Sequence, residues 1–95
     1  MTVKVEYAPV RLTAAGNIRA AAGKLTSLIV NNPSGGALTV KLNDATSGTG
    51  SDVFEVSVPT LDCRILNFNP PLLFSTGIRC GTVGAGLIIT GTFVD

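Results

Sequence analysis

The stretch Lys24-Leu25-Thr26-Ser27-Leu28-Ile29-Val30-Asn31-Asn32-Pro33-Ser34-Gly35-Gly36-Ala37-Leu38-Thr39-Val40-Lys41-Leu42-Asn43-Asp44 decides the fold class. Leu38, Val40 and Leu42 alternate with Thr39, Lys41 and Asn43, and a period of two puts every second side chain on one face of a strand. Ahead of them, Leu25 to Val30 is rich in β-forming residues, and Asn31 to Gly36 gathers strong turn formers. The natural reading is two strands joined by a hairpin connection.

The same alternation continues in both directions. Val3, Val5 and Tyr7 alternate with Lys4 and Glu6 up to a stop at Pro9, while Val10–Thr13 and Asn17–Ala21 read as short edge pieces. Ala14 to Ala22 has helix-forming composition, but Gly16 interrupts it and Gly23 ends it. Asn43 to Asp52 is small and polar, so it reads as an exposed loop. Phe54, Val56 and Val58 resume against Glu55 and Ser57, and Pro59 closes that strand because it has no N–H for a ladder. Asp62 to Phe68 is a further strand, followed by the extended passage Asn69-Pro70-Pro71, then Leu72-Leu73-Phe74 and a turn at Ser75-Thr76-Gly77. Ile78-Arg79-Cys80 begins a short strand and Val83-Gly84-Ala85-Gly86 reads as a tight hairpin turn. The last strand, Leu87 to Val94, keeps Leu87, Ile89 and Phe93 on one face. Short strands at this spacing predict an all-β fold, an antiparallel β-sandwich of jelly-roll type with about 7–9 strands. Residues 1–22 form an N-terminal arm or edge strands and residues 23–95 the sandwich core of a single domain.

Composition narrows the function classes. Only 14% of the 95 residues are charged, the net charge is +1, and 45% are hydrophobic. Charge so sparse and balanced makes no footprint for phosphate, so nucleic acid is not an expected partner. A membrane is not expected either, because aliphatic runs such as Leu87-Ile88-Ile89 fall far short of the ~20 apolar residues of a spanning helix. The opening Met1-Thr2-Val3-Lys4-Val5-Glu6 lacks the pattern of a secretory signal and reads as a chain made and used without Sec export. The sequence contains no His, which removes the commonest general base and metal ligand, so no enzymatic activity and no cofactor are expected.

Single motifs add little chemistry. Cys63 and Cys80, in phase with nearby isoleucines on neighbouring strands, read as buried free thiols, with a structural disulfide as the alternative. Gly81 to Gly86 lacks the spacing of a phosphate loop, and Pro33 disqualifies Asn32-Pro33-Ser34 as a glycosylation acceptor. Asp44 and Asp52 flank the polar loop without a calcium-binding pattern and read as solvated acids. Arg64 and Arg79 fall at matching phases and read either as solvated arginines sharing one outer face or as interface residues. Leu72, Leu73 and Phe74 read as strand core or as an exposed apolar hook. The candidate interface is therefore Val3, Val5, Tyr7, Arg64, Arg79, Leu72 and Phe74, the first three as an edge strand able to pair with another chain.

As a set, Gly23-Lys24-Leu25-Thr26-Ser27-Leu28-Ile29-Val30-Asn31-Asn32, Leu38-Thr39-Val40-Lys41-Leu42-Asn43-Asp44 and Thr46-Ser47-Gly48-Thr49-Gly50 resemble small structural proteins of tailed bacteriophages. Phe74-Ser75-Thr76-Gly77-Ile78-Arg79-Cys80 and the closing Leu87-Ile88-Ile89-Thr90-Gly91-Thr92-Phe93 extend the likeness over residues 23–94. The resemblance implies a virion β-sandwich made in the host cytoplasm and placed on the capsid surface as a decoration or cement protein. Its implied partners are the major capsid protein and further copies of itself, commonly as a homotrimer. The alternative is a tail or head-fibre module for receptor or carbohydrate binding, against which the absence of Trp and the single Tyr weigh.

Overall fold

The computed structural model describes residues 9–48 and 52–94. Eight strands follow one another: β1 (Val10–Leu12), β2 (Gly16–Arg19), β3 (Gly23–Asn32), β4 (Leu38–Asp44), β5 (Asp52–Val58), β6 (Asp62–Phe74), β7 (Ile78–Val83) and β8 (Ile88–Val94). No helix forms among the described residues, and the expected all-β sandwich is the fold. One sheet has the order β1-β8-β3-β6 and the other β2-β7-β4-β5, with every pairing antiparallel. Each strand of the first half pairs with its mirror partner in the second: β1 with β8, β2 with β7, β3 with β6 and β4 with β5. The chain is thus a long ribbon doubled back at the β4–β5 loop and rolled up, which is the connectivity of a jelly roll.

The inward faces follow the alternation. Leu25, Leu28, Val30, Val40, Leu42, Val58, Phe74, Ile78, Cys80 and Ile89 are fully buried between the sheets, and Leu38, Phe54, Val56 and Phe68 pack on their rim. With few aromatics in the chain, one pair matters at that rim: the Phe54 and Phe68 rings meet edge to face at 5.5 Å, a favourable quadrupole geometry. Cys80 is in this core and its burial pushes the thiol up to about 12. Cys63 lies exposed on β6 in the opposite sheet, so the two cysteines are neither both buried nor on neighbouring strands, and both are free.

Two connections differ from expectation. The turns at Asn31–Gly36 and Val83–Gly86 do not close hairpins; β3 and β4 lie in different sheets, as do β7 and β8. Among the described residues only β4 and β5 are both consecutive in sequence and neighbours in a sheet. The reason is that turn chemistry and alternation are the same whether two strands pair side by side or face each other across a core. What makes the β3–β4 arch possible is Asn32, fully buried at the end of β3. Its Nδ2 donates to the carbonyls of Gly36 (2.9 Å), Val58 (2.9 Å) and Pro59 (3.1 Å). Its Oδ1 accepts from the Ser34 N–H (3.0 Å) and the Ser34 hydroxyl (2.6 Å). One side chain therefore fastens the β3–β4 arch to the β5–β6 arch beside it, aided by the Thr60 hydroxyl donating to the Ser34 carbonyl at 2.6 Å.

The far end of the sandwich is fastened by a carboxylate. Asp44, at the end of β4, accepts from the Ser75 N–H (3.0 Å) and hydroxyl (2.8 Å) and from the N–H groups of Thr76 (2.7 Å) and Gly77 (3.2 Å). These bonds favour the charged form, the Thr76 N–H most, and hold the carboxyl at about 2 against an ordinary 3.8. Asp44 is thus open to solvent, as expected, and also a strut for the β6–β7 crossing.

Replacing Asn32 by Ala leaves the Val58 and Pro59 carbonyls without their buried donor and is expected to cost about 2–4 kcal/mol in urea unfolding followed by circular dichroism. For Asp44 the folded value lies below the unfolded one, so its contribution is complete above 3.8 and fades as pH falls towards 2. Asp44→Asn is expected to lower the urea midpoint at neutral pH and to converge on the parent protein near pH 2, a difference that midpoints measured across the acid range report directly.

Candidate interaction surface

The two outer faces of the sandwich differ in what covers them. On the β2-β7-β4-β5 side, the loop after Asp44 is drawn back over the sheet. The Arg79 Nε donates to the Gly48 carbonyl at 2.7 Å and its Nη1 to the Asn17 Oδ1 at 3.2 Å, while the Asn17 amide donates to the Thr46 carbonyl at 2.9 Å. At the root of the loop the buried Asn43 donates to the Asp52 carboxylate at 2.8 Å, and the Lys41 ammonium stands 3.7 Å from the same group. Asn43 finds room because Gly81 has no residue opposite it in the β4–β7 ladder, where a Cβ would come within 1.8 Å of the Asn43 Oδ1. As the sequence reads it, the loop is exposed at Thr46, Ser47 and Gly48, and its backbone carbonyls are the acceptors that hold it down; Asn43, counted with the loop, is instead a buried residue of β4.

The outer face of the β1-β8-β3-β6 sheet has a different character. Register places Arg11, Thr90, Ile29 and Ile65 in one row across it, and Ile88, Asn31 and Cys63 in the next. Beyond the Pro70-Pro71 passage, Leu73 stands opposite Lys24. Ile65 and Leu73 are exposed by 66% and 71%, and Ile29 by 38%. The aliphatic side chains here are on the surface because they occupy the outward phase of strands whose inward phase is already filled by Leu25, Leu28 and Val30.

The expected interface residues are distributed unevenly against this background. Val3, Val5 and Tyr7 lie outside the described residues. Arg64 is exposed on β6, with its guanidinium 3.7 Å from the Asp62 carboxylate. Arg79 is on β7 in the other sheet, so the two arginines share no face, and Arg79 is a loop clamp. Phe74 is fully buried and Leu72 half-buried against the core, because the inward phase returns after the prolines; neither forms a hook. The exposed member of that trio is Leu73. Sequence reasoning passed over Ile29, Val53, Leu61 and Ile65, which are exposed large apolar residues, and named Leu73 only within the trio read as core or hook. The available signal was the continuation of apolar residues into both phases of residues 61–74, which marks a strand apolar on its outer side as well.

Among the described residues, no three side chains of the His, Cys, Asp or Glu types gather to hold a metal ion. No described helix is long and apolar enough to cross a membrane. No protein-family model, no curated protein and no solved structure matches this chain.

Adjacent residues of β6 make the distinction between surface and core measurable. Leu73→Ala is expected to change stability by less than about 0.5 kcal/mol, whereas Phe74→Ala is expected to cost about 3–5 kcal/mol. Paired thermal and urea unfolding curves check both values.

Proposed function

We propose that this chain is a structural protein of a tailed-bacteriophage virion, a capsid decoration protein that binds the assembled head as an oligomer and cements neighbouring major capsid subunits. The observation that carries the reading is the uneven covering of the two outer faces. One is clamped by the protein's own loop at the end that holds Asn17 and Arg79 and otherwise exposes mainly polar residues, Glu55, Ser57 and Thr82, beside Val53; the other presents Ile29, Ile65 and Leu73 with Arg11 and Lys24 at its margins. A neutral surface with exposed aliphatic side chains is what a protein partner buries, and it offers little to a polyanion or a small charged ligand. The jelly-roll connectivity, an architecture widespread among viral capsid domains, adds to the support, as does the likeness of residues 23–94 to small virion proteins. The segment Val3 to Tyr7, alternating in sequence, serves as an arm that pairs with the edge of another chain's sheet.

Cementing of this kind needs no catalytic group. A protein that binds the closed shell and not its separated subunits stabilises the shell by mass action, by about 2.7 kcal/mol per site when its free concentration is 100 times Kd. Purified protein added to heads lacking it is expected to bind saturably and to raise the temperature at which they come apart, read by sedimentation and calorimetry. Ile29→Lys combined with Leu73→Lys is expected to weaken occupancy by about ten-fold or more without unfolding the protein. Undiminished occupancy by that variant would sink the role of this face. Saturable binding to host cells and none to heads would overturn the reading in favour of a receptor-binding fibre module.

A further inference from the structure

We propose that two copies of this chain associate through the free edges of β6, antiparallel and two-fold symmetric about Cys63, joining their β1-β8-β3-β6 sheets into one continuous eight-stranded sheet. Strand β6 ends its sheet, with no further strand beside it among the described residues. Such an edge offers a row of backbone donors and acceptors to another chain unless it is blocked. The blocking residues here, Pro70 and Pro71, sit in the second half of the strand and leave Asp62 to Asn67 open. Within the open part, the Cys63 N–H donates to the carboxylate of its own neighbour Asp62 at 2.8 Å, a side-chain acceptor standing where a ladder carbonyl would be.

The side chains select the partner as a second copy and also fix the register. In a two-fold antiparallel pair centred on Cys63, Asp62 of each copy lies opposite Arg64 of the other, and Leu61, in the turn just before the strand, comes beside Ile65 at the end of the ladder. The Asp62–Arg64 pair, 3.7 Å apart and half-exposed within one copy, exchanges partners across the axis, so the charges remain balanced. Centring on Asp62 or on Arg64 would instead set like charges directly opposite each other, which destabilises a strand pair. Leu61 and Ile65 are exposed by 78% and 66%, and association covers them with each other. Leu61 also has a φ of 54°, in the left-handed region that a bulky side chain rarely adopts and where Gly or Asn costs less. The turn does not call for leucine at that position; a contact for its side chain does. Ile65 is common to this contact and to the shell-binding face, but the shell-binding test alters Ile29 and Leu73, which this contact does not use, so the two readings fail separately.

Light scattering on a sizing column tests the pairing directly. The mass expected is twice the 9.7 kDa of one chain. Either Asp62→Arg or Arg64→Asp alone is expected to weaken association by about ten-fold or more, and the two together, which restore opposite charges in the same register, to return it to about the parent value. Opposed Cys63 residues also lie within the ~4.4–6.8 Å Cα separation that a disulfide spans. Diamide should therefore take two electrons and two protons from the paired thiols and leave one S–S bond, giving a covalent dimer that Cys63→Ser abolishes. Cys80, buried in the core, does not compete. A monomer at high concentration, a mass of three copies, failure of the double charge exchange to rescue either single variant, or cross-linking indifferent to those variants would each overturn the two-fold contact. The mass of three would instead favour a three-fold assembly.

Discussion

The Asn32 carboxamide is the point on which the two sheets depend at one end of the molecule. A sandwich whose consecutive strands alternate between sheets must carry its chain repeatedly across the ends of the core, and each crossing turns backbone carbonyls toward a space that excludes water. At this end the crossings after β3 and β5 run side by side. Asn32 is short enough to remain in the β3 ladder and bears both donors and an acceptor, so it satisfies Gly36, Val58 and Pro59 while receiving Ser34. No apolar residue of similar size can do this, and no charged one could be buried there at comparable cost. At the other end, Asp44 performs the corresponding task for the β6–β7 crossing, with a carboxylate accepting from consecutive N–H groups.

Those fastenings leave the molecule with two unlike sides. Arg79, Asn17 and Asn43 spend hydrogen bonds on the β4–β5 loop and its root, which clamps the loop to one end of that side of the sandwich. The opposite side carries aliphatic residues in an outward phase and ends in a strand whose first half is not interrupted by proline. The low charge of the chain has its structural counterpart on this side. Aliphatic residues exposed on a sheet face with few charges are the kind of surface that a protein contact buries.

Much of this was legible in the residues and some of it was not. The faces of β4, β5 and β8 followed from alternation alone, since Leu38, Val40, Leu42, Phe54, Val56, Val58, Leu87, Ile89 and Phe93 all point toward the core or its rim. The short pieces around residues 10–13 and 17–21 proved to be β1 and β2, one at the edge of each sheet. The reading of Cys63 as buried and of Phe74 as a surface candidate failed for a common reason. Both lie on β6, which is apolar in both phases, so composition does not say which phase faces the core; Leu66, Phe68, Leu72 and Phe74 face inward, and Cys63, Ile65 and Leu73 take the outward phase.

The sequence by itself determined that the protein is all-β, where its strands break, and which half of each regular strand is apolar, because period-two alternation and the backbone limits of Pro and Gly act locally. Tertiary structure alone decided which strands are neighbours. Side-by-side pairing and face-to-face packing bury the same alternating residues, so the turn at Asn31–Gly36 is equally good chemistry for a hairpin and for an arch between sheets. Only the closure of the whole ribbon, with β8 inserted between β1 and β3 and β7 between β2 and β4, excludes the hairpin. The same closure makes β6 an edge and turns its outward residues from surplus core into surface.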